Sequence, residues 1–104
     1  MNTKLYVRTI LTVPGAGTAI HVAELTEIDT QTCLLHRLVA LAPDESIVGA
    51  ATPEQSYGEV DLPQTQVPHP DTYHRFPDIE AKQVSESDFH QLWEDAQKKF
   101  SERA

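Results

Sequence analysis

The clearest periodic pattern in the chain lies at its C-terminal end, where residues 85–102 are predicted to form one amphipathic α-helix. Apolar residues recur there at i, i+3, i+4, i+7 and i+11 and share one helical face: Phe89, Leu92, Trp93, Ala96 and Phe100. Ser85 and Asp88 have the spacing of a capping box, with Asp in place of the usual Glu or Gln, and Ser87 is a competing N-cap. Such a helix needs a sheet or another helix on which to bury its apolar face.

Four segments before this helix favour β-strands, because they are rich in β-branched and apolar residues. They are residues 4–13, 18–28, 32–42 and 47–51. Turn-forming residues separate them, at 14–17, 29–31 and 43–46. The third segment fits a helix or a strand on periodicity alone. The short connections on either side favour a strand in an antiparallel meander.

The stretch from residue 52 to residue 84 differs in composition, since it holds five of the seven prolines. They are Pro53, Pro63, Pro68, Pro70 and Pro77. Each proline fixes φ and removes a backbone donor, so this stretch is predicted to be an extended loop with a possible short strand at 57–62. The predicted fold is therefore α+β, in a single domain over residues 1–104. A meander of four to five antiparallel strands, mainly within residues 3–51, packs against the C-terminal helix.

The charge balance favours a basic partner over nucleic acid. Sixteen Asp and Glu residues against eight Lys and Arg give a formal net charge of −8. A surface of this sign repels phosphate backbones and attracts positively charged proteins. A simpler reading is that the negative charge keeps the protein soluble.

Neither the single cysteine nor the N-terminal residues indicate an exported or membrane protein. Cys33 lies in an apolar run and is predicted to be a buried, inert thiol, and one cysteine allows no intrachain disulfide. The first residues lack the apolar core of a signal peptide. No apolar run approaches the roughly 20 residues of a membrane helix. We therefore expect a cytoplasmic protein without membrane contact.

The candidate catalytic or metal-binding groups are weak. His69, Asp71 and His74 could together supply two nitrogens and one oxygen to a divalent metal, but their spacing matches no helix-based ligand pair. No serine lies in a glycine-framed nucleophile elbow, and residues 14–17 lack the lysine of a phosphate loop. The prediction is a protein with no catalytic residues, no metal and no cofactor, and so not an enzyme.

The carboxylates are the remaining feature with a functional interpretation. They fall at the end of the second strand, in the turn before the fourth, and on alternate positions of the possible fifth strand. In that order they are Glu24, Glu27 and Asp29, then Asp44 and Glu45, then Glu59 and Asp61. Converging carboxylates with few balancing cations bind Lys and Arg side chains, so these seven residues are the predicted partner-binding set. The alternative is a solvated acidic surface.

Several short motifs together carry a family resemblance. They are Glu27-Ile28-Asp29, Arg37-Leu38-Val39, residues 44–50, Gly58-Glu59 leading to Leu62-Pro63, and residues 83–96, which include Phe89-His90-Gln91-Leu92-Trp93. This pattern, which spans the chain from about Glu24 to Ala96, resembles the DUF6881 family of small bacterial proteins. The chain departs from that pattern in its N-terminal strand and in Asp44-Glu45-Ser46, where the family has Asp-Gly.

The resemblance implies a small α+β protein but brings no established activity. Small, acidic proteins of this kind are similar to bacterial immunity proteins. On that analogy, the chain is predicted to be a protein-binding module that neutralises a cognate bacterial toxin by binding its basic surface. Two alternatives stay open. One is a small homodimeric structural or regulatory protein, and the other is a metal-dependent enzyme using His69, Asp71 and His74.

Overall fold

A computed structural model of the chain shows an antiparallel β-sheet with one C-terminal α-helix, and it describes residues 4–13, 15, 17–58, 65–69, 72 and 79–101. The elements in chain order are β1 Lys4–Val13, β2 Gly17–Glu27, β3 Thr32–Leu41, β4 Ile47–Ala51, β5 Ser56–Gly58, β6 Gln66–Pro68, β7 Ile79–Gln83 and α1 Glu86–Ser101. The α+β class and the C-terminal helix are confirmed. The predicted count of four to five strands is wrong, because the described residues form seven.

The first five strands form the predicted meander, and the two additional strands extend it. The strand order is β5-β4-β3-β2-β1-β7, with every pair antiparallel. The free side of β3 is shared by two partners. β6 pairs with its first residues, where Cys33 lies opposite Val67, and β4 pairs with its last, where Leu38 lies opposite Ala51.

The two missed strands lie inside the stretch predicted to be a proline-rich loop. β6 is three residues long and ends at Pro68. β7 has the sequence IEAKQ, in which Ile79 is the only β-branched residue, and it is held at the sheet edge by backbone pairing with β1. Side-chain patterns do not mark strands of this kind. Of the strand predicted at 57–62, β5 covers residues 57 and 58, and residues 59–62 lie outside the described part of the chain.

Each face of the sheet carries its own apolar cluster. The face beneath α1 contains Tyr6, Ile20, Val22, Val39, Leu41, Ala50, Phe89 and Ala96. The opposite face contains Val7, Ala23, Leu25, Cys33, Leu35 and Leu38. Cys33 is fully buried, as predicted. The helical face predicted from the sequence is confirmed, because Phe89 and Ala96 are buried and the other three members pack against the same cluster.

A β-bulge in β3 explains why that segment also fitted a helical pattern. Glu24 pairs with Arg37, whereas the next residue of β2 pairs with Leu35, so His36 is an extra residue in β3. Cys33 and Leu35 belong to the cluster on the face away from α1. After the bulge the alternation is reversed, and Val39 belongs to the cluster beneath α1. A strand that changes parity loses its period of two.

The two ends of α1 are fixed by local chemistry. Ser85 is the N-cap, because its Oγ accepts a hydrogen bond from the backbone N–H of Asp88 at 3.1 Å. Near the C-terminal end, Phe100 packs close to Gly58, whose φ is +74°. A Cβ on Gly58 would lie 2.4 Å from the carbonyl oxygen of Val48 and 2.8 Å from the Phe100 ring. Glycine therefore permits the close approach of the helix to β5.

Candidate functional site

The Glu24 carboxylate lies beneath the first turns of α1 and is the most buried carboxylate among the described residues. Glu24 as a whole residue is 4% exposed. Arg37, directly opposite on β3, donates from Nε to Oε1 at 2.8 Å and from Nη2 to Oε2 at 2.7 Å. The Tyr6 hydroxyl lies 3.0 Å from Glu24 Oε2 and 3.1 Å from Glu86 Oε2, and Lys4 Nζ lies 4.0 Å from Glu24. The two parallel hydrogen bonds between Arg37 and Glu24 form a bidentate pair, which is the strong form of a charge-assisted hydrogen bond.

Aromatic rings from α1 cover the other side of the guanidinium. The Cζ atom of Arg37 lies 5.1 Å from the centre of the Phe89 ring and 5.4 Å from that of Trp93. The Tyr6 ring is 5.5 Å from Phe89. Cation–π contact and ring packing therefore connect the ion pair to the helix. The apolar helical face predicted from the sequence thus packs partly on a charge.

The pKa shifts in this cluster follow from the same contacts. The hydrogen bonds from Arg37 lower the pKa of Glu24 and outweigh the opposing effect of burial. Burial, with the hydrogen bonds to Glu24 and Glu86, raises the pKa of Tyr6 to about 12. Glu24 therefore stays ionised and is satisfied internally. The prediction that it presents its carboxylate to a partner is not met by this geometry.

Glu27 keeps part of its carboxylate at the surface, although it has an internal partner. Its Oε2 lies 2.7 Å from Nε2 of His69, and its side chain is 43% exposed. His69 is buried at 3% exposure, and its backbone N–H donates to the carbonyl of Gln31 at 2.9 Å. His69 thus ties the segment after β6 to the β2–β3 turn.

The predicted metal set is only partly described. His69 lies against Glu27, while Asp71 and His74 fall outside the described residues. Within residues 4–13, 17–58, 65–69 and 79–101, no group of three or more His, Cys, Asp or Glu side chains is placed to hold a metal ion.

The aspartates of the two turns cap local backbone. Asp29 Oδ1 accepts hydrogen bonds from the N–H groups of Gln31 and Thr32, both at 2.8 Å. Asp44 Oδ1 accepts from the N–H of Ser46 at 3.0 Å and from its hydroxyl at 2.7 Å, which lowers the pKa of Asp44. Both aspartates remain exposed, so each caps its turn and still presents negative charge to solvent.

Glu45 belongs to the second of these turns and pairs with β1. Its Oε1 lies 2.5 Å from Nη1 of Arg8, and its side chain is 58% exposed. Its φ of +71° places it in the left-handed region, which closes the tight connection between β3 and β4.

The acidic groups of the two described turns do not converge on one site. The turn with Asp29 precedes β3 and the turn with Asp44 follows it, so they lie at opposite ends of a ten-residue strand. At a rise of about 3.3 Å per residue, the two turns are roughly 30 Å apart. Glu59 and Asp61 lie outside the described residues. The sheet thus carries two separate acidic turns.

Other functional features went unrecognised in the sequence. One of them is Arg37, because a single arginine inside an apolar strand, next in the chain to the strand that carries Glu24, signals a buried pair. Exposed carboxylates on α1, including Glu94 and Asp95, lie outside the predicted partner-binding set.

The comparisons with known proteins leave identity open. No protein-family model, no curated protein and no solved structure matches the chain. The resemblance to the DUF6881 family therefore stays a prediction. Among the described residues, no helix combines the length and the apolarity that crossing a membrane requires.

Proposed function

We propose that this chain is a protein-binding module that holds a basic protein partner through its acidic surface, and that it acts as an immunity protein against a bacterial toxin. The observation that carries the proposal is the imbalance of exposed charge. In the described part of the chain, nine carboxylates are exposed against four lysines. The carboxylates are Asp29, Asp44, Glu45, Glu54, Glu80, Glu86, Asp88, Glu94 and Asp95. Such a surface accelerates encounter with a basic protein and disfavours nucleic acid.

The two described arginines are already paired. Arg37 binds the buried Glu24 carboxylate, and Arg8 lies against Glu45, whose side chain is 58% exposed. The exposed carboxylates other than Glu45 form no salt bridge within the described residues. The proposed contact surface consists of the two acidic turns, with Glu27 and Asp29 in one and Asp44 and Glu45 in the other. Glu59 and Asp61 join the proposal from the sequence alone, and Glu24 leaves it.

The two acidic turns allow a matched test. One variant combines Glu27→Gln with Asp29→Asn, and the other combines Asp44→Asn with Glu45→Gln. Each loses two negative charges and keeps an oxygen that can accept the turn hydrogen bonds. The wild-type protein is first immobilised and used to capture partners from an extract of the source organism, with elution by rising salt and identification by mass spectrometry. Binding of the recovered protein to both variants is then measured by calorimetry.

We expect the recovered partner to be basic and to elute as the salt concentration rises. A variant in the contacting turn should lose about tenfold in affinity or more, and the other variant should lose less. Equal, small losses would show long-range attraction without contact at either turn. If neither variant changes the affinity, or if the partner is acidic, the proposal is wrong.

A further inference from the structure

Within the described part of the chain, β7 is the last strand at one side of the sheet. It pairs with β1 on one side, from Val7 opposite Gln83 to Leu11 opposite Ile79. No strand in the described part of the chain pairs with its other side. An edge strand presents backbone N–H and C=O groups that can pair with another strand.

The side chains of β7 are arranged for pairing with a copy of themselves. Glu80 and Lys82 are two residues apart and project from the same face, one on each side of Ala81. Both are exposed, and neither has an ion-pair partner within the described residues. In an antiparallel pair centred on Ala81, each glutamate would lie opposite the lysine of the other copy.

We propose that two copies of this chain associate through their β7 strands, antiparallel and related by a two-fold axis through Ala81. This register forms two Glu80–Lys82 pairs across the axis, one on each side. It also places Ile79 opposite Gln83 and the small Ala81 side chains opposite each other. The result is one sheet that continues through both copies, joined by an isologous interface.

Charge selects this register over its neighbours. A slip by two residues in one direction places Glu80 opposite Glu80, and a slip in the other direction places Lys82 opposite Lys82. Both arrangements oppose like charges on directly facing positions, which destabilises a strand pair. A slip by one residue would place side chains of opposite faces against each other, which two-fold pairing of one continuous sheet does not permit.

The helix leaves this edge accessible. α1 packs over β2, β3 and β4. Beside it, an open cavity of about 620 Å³ is lined by Arg8, Ile10, Glu45, Glu80, Ala81 and Lys82. Among the described residues, the charged face of β7 therefore borders this open cavity, where a second copy can reach it. The association goes beyond the proposed binding of a basic protein, and either can fail without the other.

Charge-swap variants test the pairing directly. Sedimentation equilibrium up to about 1 mM protein suits an interface of this small size. Wild type should approach twice the 11.6 kDa mass of one chain at the upper concentrations. Glu80→Lys and Lys82→Glu should each weaken the dimer by about tenfold or more, because each opposes like charges at both pairs. The double variant E80K/K82E restores opposite charges and should dimerise like wild type.

Mixing provides the decisive control. Glu80→Lys has two lysines at these positions and Lys82→Glu has two glutamates, so an equimolar mixture should form heterodimers although each variant alone remains largely monomeric. Circular dichroism of each variant establishes that the fold is kept. A wild-type protein that stays monomeric at about 1 mM overturns the proposal. So does a Glu80→Lys variant that dimerises as strongly as wild type, or a mixture that forms no heterodimer.

Discussion

Glu24 and Leu25 are neighbours on β2, yet their side chains enter opposite faces of the sheet with different chemistry. Glu24 lies beneath α1 at 4% exposure, bound by Arg37 and Tyr6. Leu25, at 1% exposure, belongs to a cluster of apolar side chains that includes Cys33 and Leu35. The two faces are equally well buried near these residues, so the difference between them is the source of stabilisation and not the degree of burial.

The contrast shows what burying a charge requires. Glu24 receives directed hydrogen bonds from two other strands, and α1 supplies the rings that cover its arginine partner. The stabilisation that this ion pair provides therefore depends on the geometry of its hydrogen bonds and on the protonation of Glu24. The cluster around Leu25, on the face away from α1, consists of apolar side chains that are stabilised by close packing. Its stability should therefore respond to cavities and not to pH.

The largest expected loss of stability follows a change in the cluster around Leu25, on the face away from α1. Leu25→Ala should lower the free energy of unfolding by about 4 kcal/mol, since it removes a fully buried side chain and leaves a cavity. Leu11→Ala, at a position that is 38% exposed on β1, should cost less than about 1 kcal/mol and serves as the matched control. Urea unfolding followed by tryptophan fluorescence measures both. Equal losses for the two variants would contradict the assignment of Leu25 to a packed core.

Breaking the ion pair should cost somewhat less. Arg37→Ala leaves the Glu24 carboxylate buried with weaker partners and should lower the free energy of unfolding by about 3 kcal/mol. This value is at the lower end of the range for breaking a buried ion pair, because the Arg37 side chain is 25% exposed. The double variant Glu24→Leu/Arg37→Met removes both charges and should be more stable than Arg37→Ala alone. A double variant that is less stable than Arg37→Ala would contradict this expectation, because the Glu24 carboxylate would then not destabilise the fold when it lacks Arg37.

The meander and the helix were predictable because each carries a periodic signal that local physics makes strong. The bounds of β1 and β4 and the N-cap at Ser85 agree with the sequence pattern. β7 was not predictable in this way. Its side chains are mostly polar, and its place in the sheet comes from backbone pairing with β1. An edge strand of this kind is a consequence of topology more than of propensity.

The site was less predictable than the fold, because it depends on which residues face each other across strands. Glu24 and Glu27 look equivalent in the sequence, three residues apart on one strand. Pairing places Glu24 opposite Arg37 and beneath the helix, whereas Glu27 reaches the surface beside His69. Residues three apart on a strand project from opposite faces, and the register between β2 and β3 then decides which residue lies opposite Glu24. A single sequence contains no clear signal for that register.

The smallest effect, and the one that separates the two faces most sharply, is the pH dependence of stability. The pKa of Glu24 is lowered in the folded protein, chiefly by Arg37, from an ordinary value of 4.5. A carboxylate with a depressed folded pKa stabilises the fold fully above its unfolded pKa, and this contribution is lost as the pH falls through the folded value. Wild type should therefore lose stability below about pH 4.5 more steeply than Glu24→Gln, by at most about 1.4 kcal/mol per pH unit.

Leu25→Ala provides the control for this slope. It keeps the ion pair, so its stability should lie below that of wild type by a constant amount across the acid range. Asp44, whose pKa is also lowered, is present in all three proteins, so its contribution cancels in the differences. Urea unfolding at a series of pH values between about 2.5 and 6 yields the three curves, the expected slope being that of one proton. If Glu24→Gln runs parallel to wild type while Leu25→Ala does not, the assignment of the pH-sensitive group to the helix face is wrong.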